Sequence, residues 1–274
     1  MLAQPQDPEC ECVRDLFAML RPCCFYAILN TEVVVLIFYY IRHADPIYNP
    51  DSLTPLGIRQ AEAVAKRLAL YGVDEIYCST SNRAIMTAKP TCKLLKIEPE
   101  LLDFANESHS WHDFTILRED GKGKAWLFHS RRVVELFNSK EIRDLGDRWF
   151  DHPALKAYHY ENGINRIYDE CDKFFASLGF QHERYTGKYK ATEPNSKRVA
   201  LFAHQGFGLA FLSCLLDIPY PMFCTHFDMT HTGVTVVEFR EKNGFCVPKM
   251  LTLSSDSHLY HEGLPTKYNN SLFF

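Results

Sequence analysis

The chain has no surplus of positive charge. Its 30 lysines and arginines face 34 aspartates and glutamates across 274 residues, a formal net charge of −4. That excludes a protein holding nucleic acid by bulk charge, so any anionic ligand must be met by a local group of cations. Cysteine is too sparse, at 10 residues, for a disulfide scaffold. The pairs Cys10/Cys12 and Cys23/Cys24 have no second pair at zinc-ribbon spacing, so free thiols and a cytoplasmic, reducing setting are expected. Nor is there a clean membrane span. The apolar stretch from Phe25 to Ile41 is broken by Asn30 and Glu32, and an acid in mid-span costs roughly 2–3 kcal/mol. Asp7 and Glu9 precede any apolar stretch and the first arginine is Arg14, so no secretory signal is expected. Solenoid repeats and low-complexity tracts are lacking too.

What is there reads as an ordinary globular protein, 46% apolar and 23% charged, of a length that suits one large domain. Residues 1–30 show no clean period and are expected to be an extension, with a single domain from 31 to 274. Val33 to Ile41 is short, β-branched and aromatic, the pattern of a strand buried on both faces. It ends in Arg42-His43. Two further segments repeat that grammar: Val73–Cys78 leads to Ser79-Thr80-Ser81-Asn82-Arg83, and Val199–Ala203 leads to His204-Gln205-Gly206. Strands alternating with helical segments predict an α/β fold, a three-layer αβα sandwich around a mainly parallel sheet. In such sheets ligands bind outside the carboxyl ends of the strands. The three polar clusters should therefore meet at one edge.

Helix signals follow the strands. Thr54 can cap a helix that has Pro55 at its first position and Ala61, Val64, Ala65 and Leu68 on one face. Ser81 or Asn82 can cap the next, where Pro90 predicts a kink or a late start. Gly208–Leu216 reads as a helix, and Val234–Phe239 as an antiparallel strand at an edge. From about 104 to 198 the pattern loosens into an insertion over the active edge, a candidate lid. Within it Arg132–Asn138 and Ile164–Leu178 look helical and Gln181–Ser196 looks like a loop.

Arg42, His43, Arg83 and His204 form a chemically coherent set. Two guanidinium forks match phosphate oxygens in geometry and charge. A neutral imidazole is a competent nucleophile toward phosphorus and would form a phosphohistidine. Positioning and charge neutralisation are most of what phosphoryl transfer asks for, so no metal or other cofactor is expected. The missing part is a carboxyl group, its pKa raised by its surroundings, to protonate the leaving oxygen.

Those residues carry a resemblance. Tyr40-Ile41-Arg42-His43-Ala44-Asp45 resembles the Arg-His-Gly signature of the histidine phosphatase superfamily, the phosphoglycerate mutase-like proteins. Leu53-Thr54-Pro55-Leu56-Gly57-Ile58-Arg59-Gln60-Ala61 is similar to its Leu-Thr-x-x-Gly-x-x-Gln-Ala helix start. Cys78–Ala88 and Pro90 resemble its Ser-Ser-x-x-x-Arg-Ala-x-x-Thr-Ala segment, and Ala203-His204-Gln205-Gly206 its late His-Gly element. The four motifs occur in family order over residues 35–107 and 198–239. The resemblance implies His43 as the phosphorylated nucleophile and Arg42, Arg83 and His204 as phosphate ligands. It further implies Asn49 as a phosphate contact and Glu107 as proton donor. Ala44 replaces the usual glycine. Gln205 stands where the acid phosphatase branch has an aspartate, and Ser108-His109-Ser110-Trp111 does not reproduce the mutases' Arg-His-Tyr-Gly run. The expectation is a phosphomonoester hydrolase acting on a small phosphoester or a phosphorylated macromolecule. A mutase, or a scaffold that binds phospholigands without turnover, is the alternative.

Several neighbours compete for roles. Asp103 and Asp113 offer the same chemistry as Glu107. His109-x-x-His112, or His226 with His231, could suggest a metal but lacks a matching carboxylate set. Gly206-Phe207-Gly208 reads as a strand-to-helix turn, and Trp111, Trp126 and Phe128 read as core aromatics in preference to the lining of a substrate pocket. The run from Cys78 to Arg83 is one residue short of a cysteine phosphatase loop and has no glycine to wrap phosphate.

Overall fold

The computed structural model describes residues 34–158 and 160–266. The segment 1–30 and its four cysteines lie outside them. The chain runs through β1 (Val35–Arg42), the hairpin β2 (Pro46–Tyr48) and β3 (Asp51–Leu53), then α1 (Pro55–Tyr71). After β4 (Glu75–Ser79), α2 (Asn82–Leu95) and β5 (Glu100–Leu102) come α3 (Glu107–Asp113), β6 (Thr115–Leu117) and β7 (Lys124–Trp126). Next are α4 (Arg131–Phe137), α5 (Lys140–Leu145), α6 (Tyr160–Ser177) and the hairpin β8 (Phe180–Glu183) and β9 (Lys188–Ala191). The rest comprises β10 (Arg198–Ala203), α7 (Gln205–Leu216), α8 (Tyr220–His226), β11 (Val234–Arg240), β12 (Phe245–Cys246), β13 (Lys249–Ser255) and α9 (Ser257–His261).

Six strands form the central sheet in the order β13-β11-β1-β10-β4-β5. β1, β10, β4 and β5 are parallel, while β11 and β13 are antiparallel. β1 is uniformly apolar because both its faces are covered. Leu36, Phe38 and Tyr40 point to one side, where they join Phe174 and Phe175 of α6 and Phe211 of α7. Tyr39 and Ile41 point to the other and meet Val64 and Leu68 of α1 and Ala84 and Ala88 of α2. The strand's period of two thus sorts its residues into two helical layers, giving the expected three-layer sandwich.

The local signals hold at α1, where the Thr54 side chain accepts from the Gly57 amide at 3.0 Å and Pro55 opens the helix. Elsewhere the structure corrects the sequence reading. α2 starts directly at Asn82 and runs through Pro90 to Leu95. Proline there removes the bond its own nitrogen would donate to the Met86 carbonyl, and the helix continues past it. α7 begins at Gln205, three residues earlier than expected. β11 is antiparallel but interior, since β13 forms the edge outside it. Gln181–Ser196 contains the β8–β9 hairpin, which pairs with β12, rather than a plain loop. The segment 104–198 is also more than a cover, because α6 is one of the layers on the sheet.

At the start of that hairpin His182 is fully buried between Asp172 (2.8 Å) and Asp217 (3.1 Å). Burial pulls its pKa down, but hydrogen bonds to the two carboxylates outweigh it and raise it to about 8. A cation whose pKa is raised on folding stabilises fully below its unfolded value near 6.5, and that contribution disappears as pH rises through about 8. It amounts to roughly 2 kcal/mol. Urea unfolding of His182→Gln is expected to show a loss of about that size at pH 6 and a shallower decline between pH 6.5 and 8 than the wild type. An identical pH slope in both proteins refutes this account.

Candidate active site

β1, β10 and β4 are adjacent and parallel, with Arg42 beside Ala203 and Phe202 beside Cys78 in the ladder. Their carboxyl ends therefore deliver Arg42-His43, His204 and Ser79 side by side, at the spacing of neighbouring strands. The rings of His43 and His204 lie 5.2 Å apart between centroids, inclined at 60°. Helix α2 starts just after β4 and brings Arg83 to the same place. Glu107, at the first position of α3, closes the group. Arg42, His43, Arg83 and Glu107 line one cavity of about 520 Å³, together with Tyr48, Asn106, Ser108, Trp111, Trp126 and Gln205.

The hydrogen bonds fix which atoms are available. His43 Nδ1 lies 2.7 Å from the Ala44 carbonyl, to which it can only donate. The proton is thereby held on Nδ1, and Nε2 keeps its lone pair. Burial, reinforced by His204, Arg42 and Arg83, drives the His43 pKa well below its ordinary value. The ring is neutral near pH 7. Ala44 itself is anchored through its amide to Thr87 Oγ1 at 3.0 Å, and the Thr87 hydroxyl donates to the Arg83 carbonyl at 2.7 Å. The next residue, Asp45, donates its amide to Gln60 at 2.9 Å and accepts from the Thr54 hydroxyl at 2.7 Å. A β-carbon on Gly57 would stand 2.3 Å from the Asp45 carbonyl oxygen. The Thr54–Gly57–Gln60 pattern thus serves to hold the backbone after His43.

His204 is held from three sides. The Tyr40 hydroxyl donates to its carbonyl at 2.6 Å and accepts from its amide at 3.2 Å. Arg83 Nη2 donates to Nδ1 at 3.1 Å, which leaves Nε2 as the donor toward Ser79 Oγ at 2.8 Å, with Ser81 Oγ at 3.2 Å. Burial first, then Arg83 and Arg42, press its pKa well below the usual range. Arg83 also pairs with Asp51 at 3.0 Å and stacks on Tyr48 at 5.5 Å. Arg42 donates to the Met229 carbonyl. Burial lowers its pKa, countered chiefly by Asp228. The Nε of each arginine is buried with no hydrogen-bond acceptor among the described residues. Such donors call for an anion.

Glu107 Oε1 accepts from the Phe207 amide at 3.0 Å, at the start of α7, and Oε2 lies 3.3 Å from His204 Nδ1. Burial raises its pKa to about 7, against the pull of the Phe207 and Gly206 amides and both arginines. This is the range a general acid needs. The rival carboxylates are engaged elsewhere: Asp103 meets His109 at 3.1 Å, and Asp113 meets Arg166 at 2.7 Å. His43, Glu107 and His204 each offer a ligand atom, all within 4.8 Å of one another. That grouping could in principle hold a transition metal, but two guanidinium groups border it.

Five of the six predicted residues, Arg42, His43, Arg83, Glu107 and His204, come together. Asn49 does not. It sits on the exposed tip of the β2–β3 hairpin, while Tyr48 lines the cavity. Trp111 and Trp126 are corrected from core aromatics to cavity wall, and only Phe128, stacked on Trp126 at 5.5 Å, is buried. Ser81 occupies the cap position of α2 but turns to His204. Asp51 supplies the cap instead, accepting from the Asn82 amide at 2.8 Å. Asp51, Tyr40 and Ser79 were not legible as site residues, because nothing local in their segments signals a partner far along the chain. His231, whose ring lies 5.6 Å from that of His43 with Asp45 at 3.6 Å, is a third imidazole at this edge. Cys78 is buried in the sheet with its thiol pKa pushed up by burial, as expected of a core residue.

Residues 38–150 match the family model of the histidine phosphatase superfamily (branch 1). The chain is similar to that superfamily over this stretch, which includes Arg42, His43, Arg83 and Glu107. Among solved structures it is similar to a mutant of phosphoserine phosphatase from Entamoeba histolytica in complex with phosphoserine. There the TM-score is 0.53 at 19% identity, over 82% of this chain and 99% of the other. Mycobacterial glucosyl-3-phosphoglycerate phosphatase gives a TM-score of 0.51 at 17% identity, over 81% and 99%. The alpha-ribazole phosphatase from Shigella flexneri gives 0.51 at 15%, over 80% and 96%. These likenesses are of fold. No curated protein sequence matches the chain.

Gly206 lies where the site is tightest. A β-carbon there would stand 2.3 Å from Trp126 Cη2 and 2.7 Å from Glu107 Oε1. Gly206→Ala is expected to displace both and to weaken inorganic phosphate binding about tenfold by calorimetry, with overpacking costing about 1–3 kcal/mol of stability. Unchanged phosphate affinity would show that the acid and the indole tolerate movement.

Proposed function

We propose that the protein is a phosphatase that hydrolyses phosphomonoesters through a phosphohistidine on His43. The observation that carries this reading is the His43 Nδ1 contact with the Ala44 carbonyl, which leaves Nε2 as a free nucleophile in a cavity bordered by two arginines. His43 Nε2 attacks phosphorus, and an N–P bond forms as the bond to the leaving oxygen breaks. Arg42 and Arg83 hold the phosphoryl oxygens, His204 joins them once the bound dianion draws a proton onto its Nδ1 in place of the Arg83 hydrogen bond, and Glu107 gives its proton to the leaving alcohol. As a carboxylate it then takes a proton from water, whose oxygen attacks phosphorus. The N–P bond breaks, inorganic phosphate leaves, and both residues return to their starting states. Charge neutralisation by the guanidinium groups makes a metal unnecessary in this scheme, and an Arg83 hydrogen bond occupies the His204 nitrogen a metal would need.

The substrate is a small phosphoester or a phosphorylated side chain. No helix among the described residues is long and apolar enough to cross a membrane. A reducing, cytoplasmic setting is part of the proposal, in keeping with six described cysteines that are all unbridged.

Three measurements test it. Mass spectrometry under non-acidic conditions, after mixing with a phosphoester, should find phosphate on His43. His43→Ala should abolish turnover, and a chelator should leave the wild type unaffected. Full activity in His43→Ala ends the proposal. Because Glu107 must be protonated to donate, kcat/KM should fall as pH rises through about 7. Glu107→Gln should lower kcat by about 10²–10⁴ and remove that basic limb. A limb that survives in Glu107→Gln assigns the acid elsewhere.

A further inference from the structure

The cavity that holds the reacting groups also has a wall with no part in phosphoryl transfer. Trp111 and Trp126 meet edge to face, 5.0 Å between centroids and 88° between planes, and Tyr48 stands over Arg83 at 5.5 Å. Trp126 is placed with some force. It is backed by the stacked ring of Phe128, and its Cη2 and Glu107 Oε1 crowd the same point above Gly206. An indole edge therefore lies next to the carboxyl group that faces the leaving oxygen. Trp111 is 39% exposed and lines the same cavity, so apolar indole surface is open to a ligand there.

The charges lining this cavity are equally informative. Its cations are Arg42 and Arg83, both at the phosphoryl position, and its acid is Glu107. Beyond them the lining is neutral: Tyr48, Asn106, Ser108, Gln205 and the two indoles. The Gln205 amide is directed to Asp228. A carboxylate or ammonium on the leaving group would find no opposite charge there and would lose solvation without return. A flat ring would instead find the aromatic surface that the two indoles turn to the cavity. A volume of about 520 Å³ accommodates a phosphoryl group with one aromatic ring.

We infer that the preferred leaving group is an uncharged aromatic alcohol, so that the substrate is an aryl phosphate monoester rather than a phosphorylated acid or amino acid. This rests on the phosphatase reading of the same site. The ester could be a free aryl phosphate or a tyrosyl phosphate on a peptide, since both present the same ring to Trp111 and Trp126.

Binding, measured apart from turnover, tests the inference. By calorimetry, benzylphosphonate should bind the wild type about tenfold more tightly than 3-phosphonopropionate, which replaces the ring by a carboxylate. Trp111→Ala should erase most of that preference, and Trp111→Phe should restore it. Phenyl phosphate and a blocked phosphotyrosine amide then separate the two sources: equal KM values mean that the ring alone is read, and a lower KM for the amide adds a peptide backbone to the recognised ligand. Equal or tighter binding of 3-phosphonopropionate overturns the inference, as does a Trp111→Ala variant that weakens both phosphonates alike. Tight benzylphosphonate binding without hydrolysis of any ester would support the ring site while removing the phosphatase reading.

Discussion

Two guanidinium groups and two imidazoles share a buried corner at the edge of a parallel sheet. Burying a charge in a protein costs several kcal/mol unless partners compensate. Here compensation is partial: Arg83 has Asp51, Arg42 has the Met229 carbonyl and the field of Asp228, and each retains a buried Nε without an acceptor. That imbalance controls the other groups. Burial, reinforced by the positive potential, keeps both imidazoles neutral, and the same desolvation that lowers Arg42 raises the Glu107 carboxyl. In the reaction we propose, an incoming dianion relieves the imbalance and meets a neutral nucleophile and a protonated acid at once. Nucleophile, acid and clamp are thus consequences of one electrostatic condition rather than three separate adjustments.

The strand ladder supplies the geometry for that condition. Only parallel neighbours put three carboxyl ends on one edge, and β1, β10 and β4 do so although Arg42 and His204 are far apart in the chain. The helices then add to what the strands present. α2 and α3 bring Arg83 and Glu107, and the first amides of α7 receive Glu107 Oε1. Placing a carboxylate oxygen at a helix start favours the charged form, yet burial wins and the group titrates near 7. A more exposed Glu107 would be a carboxylate at every working pH.

Much of this was legible in the sequence because period and punctuation agree there. β1 is a continuous apolar run ending in Arg42-His43, and Thr54-Pro55 is an unambiguous helix start. Those local statements were enough to place Arg42, His43, Arg83 and His204 at one edge. Residues recruited across the fold were not legible. Asp51 caps α2 from a hairpin far earlier in the chain, and Ser81, which looks like the cap, is engaged by His204. Tyr40 reads as one more strand aromatic, yet its hydroxyl holds the His204 backbone. Asn49 shows the opposite case: its motif position put it near phosphate, whereas the residue sits on an exposed hairpin tip outside the cavity lining. In the region 104–198 the helical segments were legible as α4 and α6, but the period of amphipathic α6 does not say which surface it covers, so its place as a layer on the sheet was not.

The indole wall comes from α3 and β7, whereas the cations and imidazoles come from the sheet edge and α2. These two parts of the pocket therefore depend on different stretches of polypeptide with separate supports. On the proposed function, changes in the stretch bearing the rings would exchange one alcohol for another while the phosphorus chemistry stays fixed by the ladder beneath it. Gly206 is the joint at which that independence ends, since the ring and the acid press on the same missing methyl group.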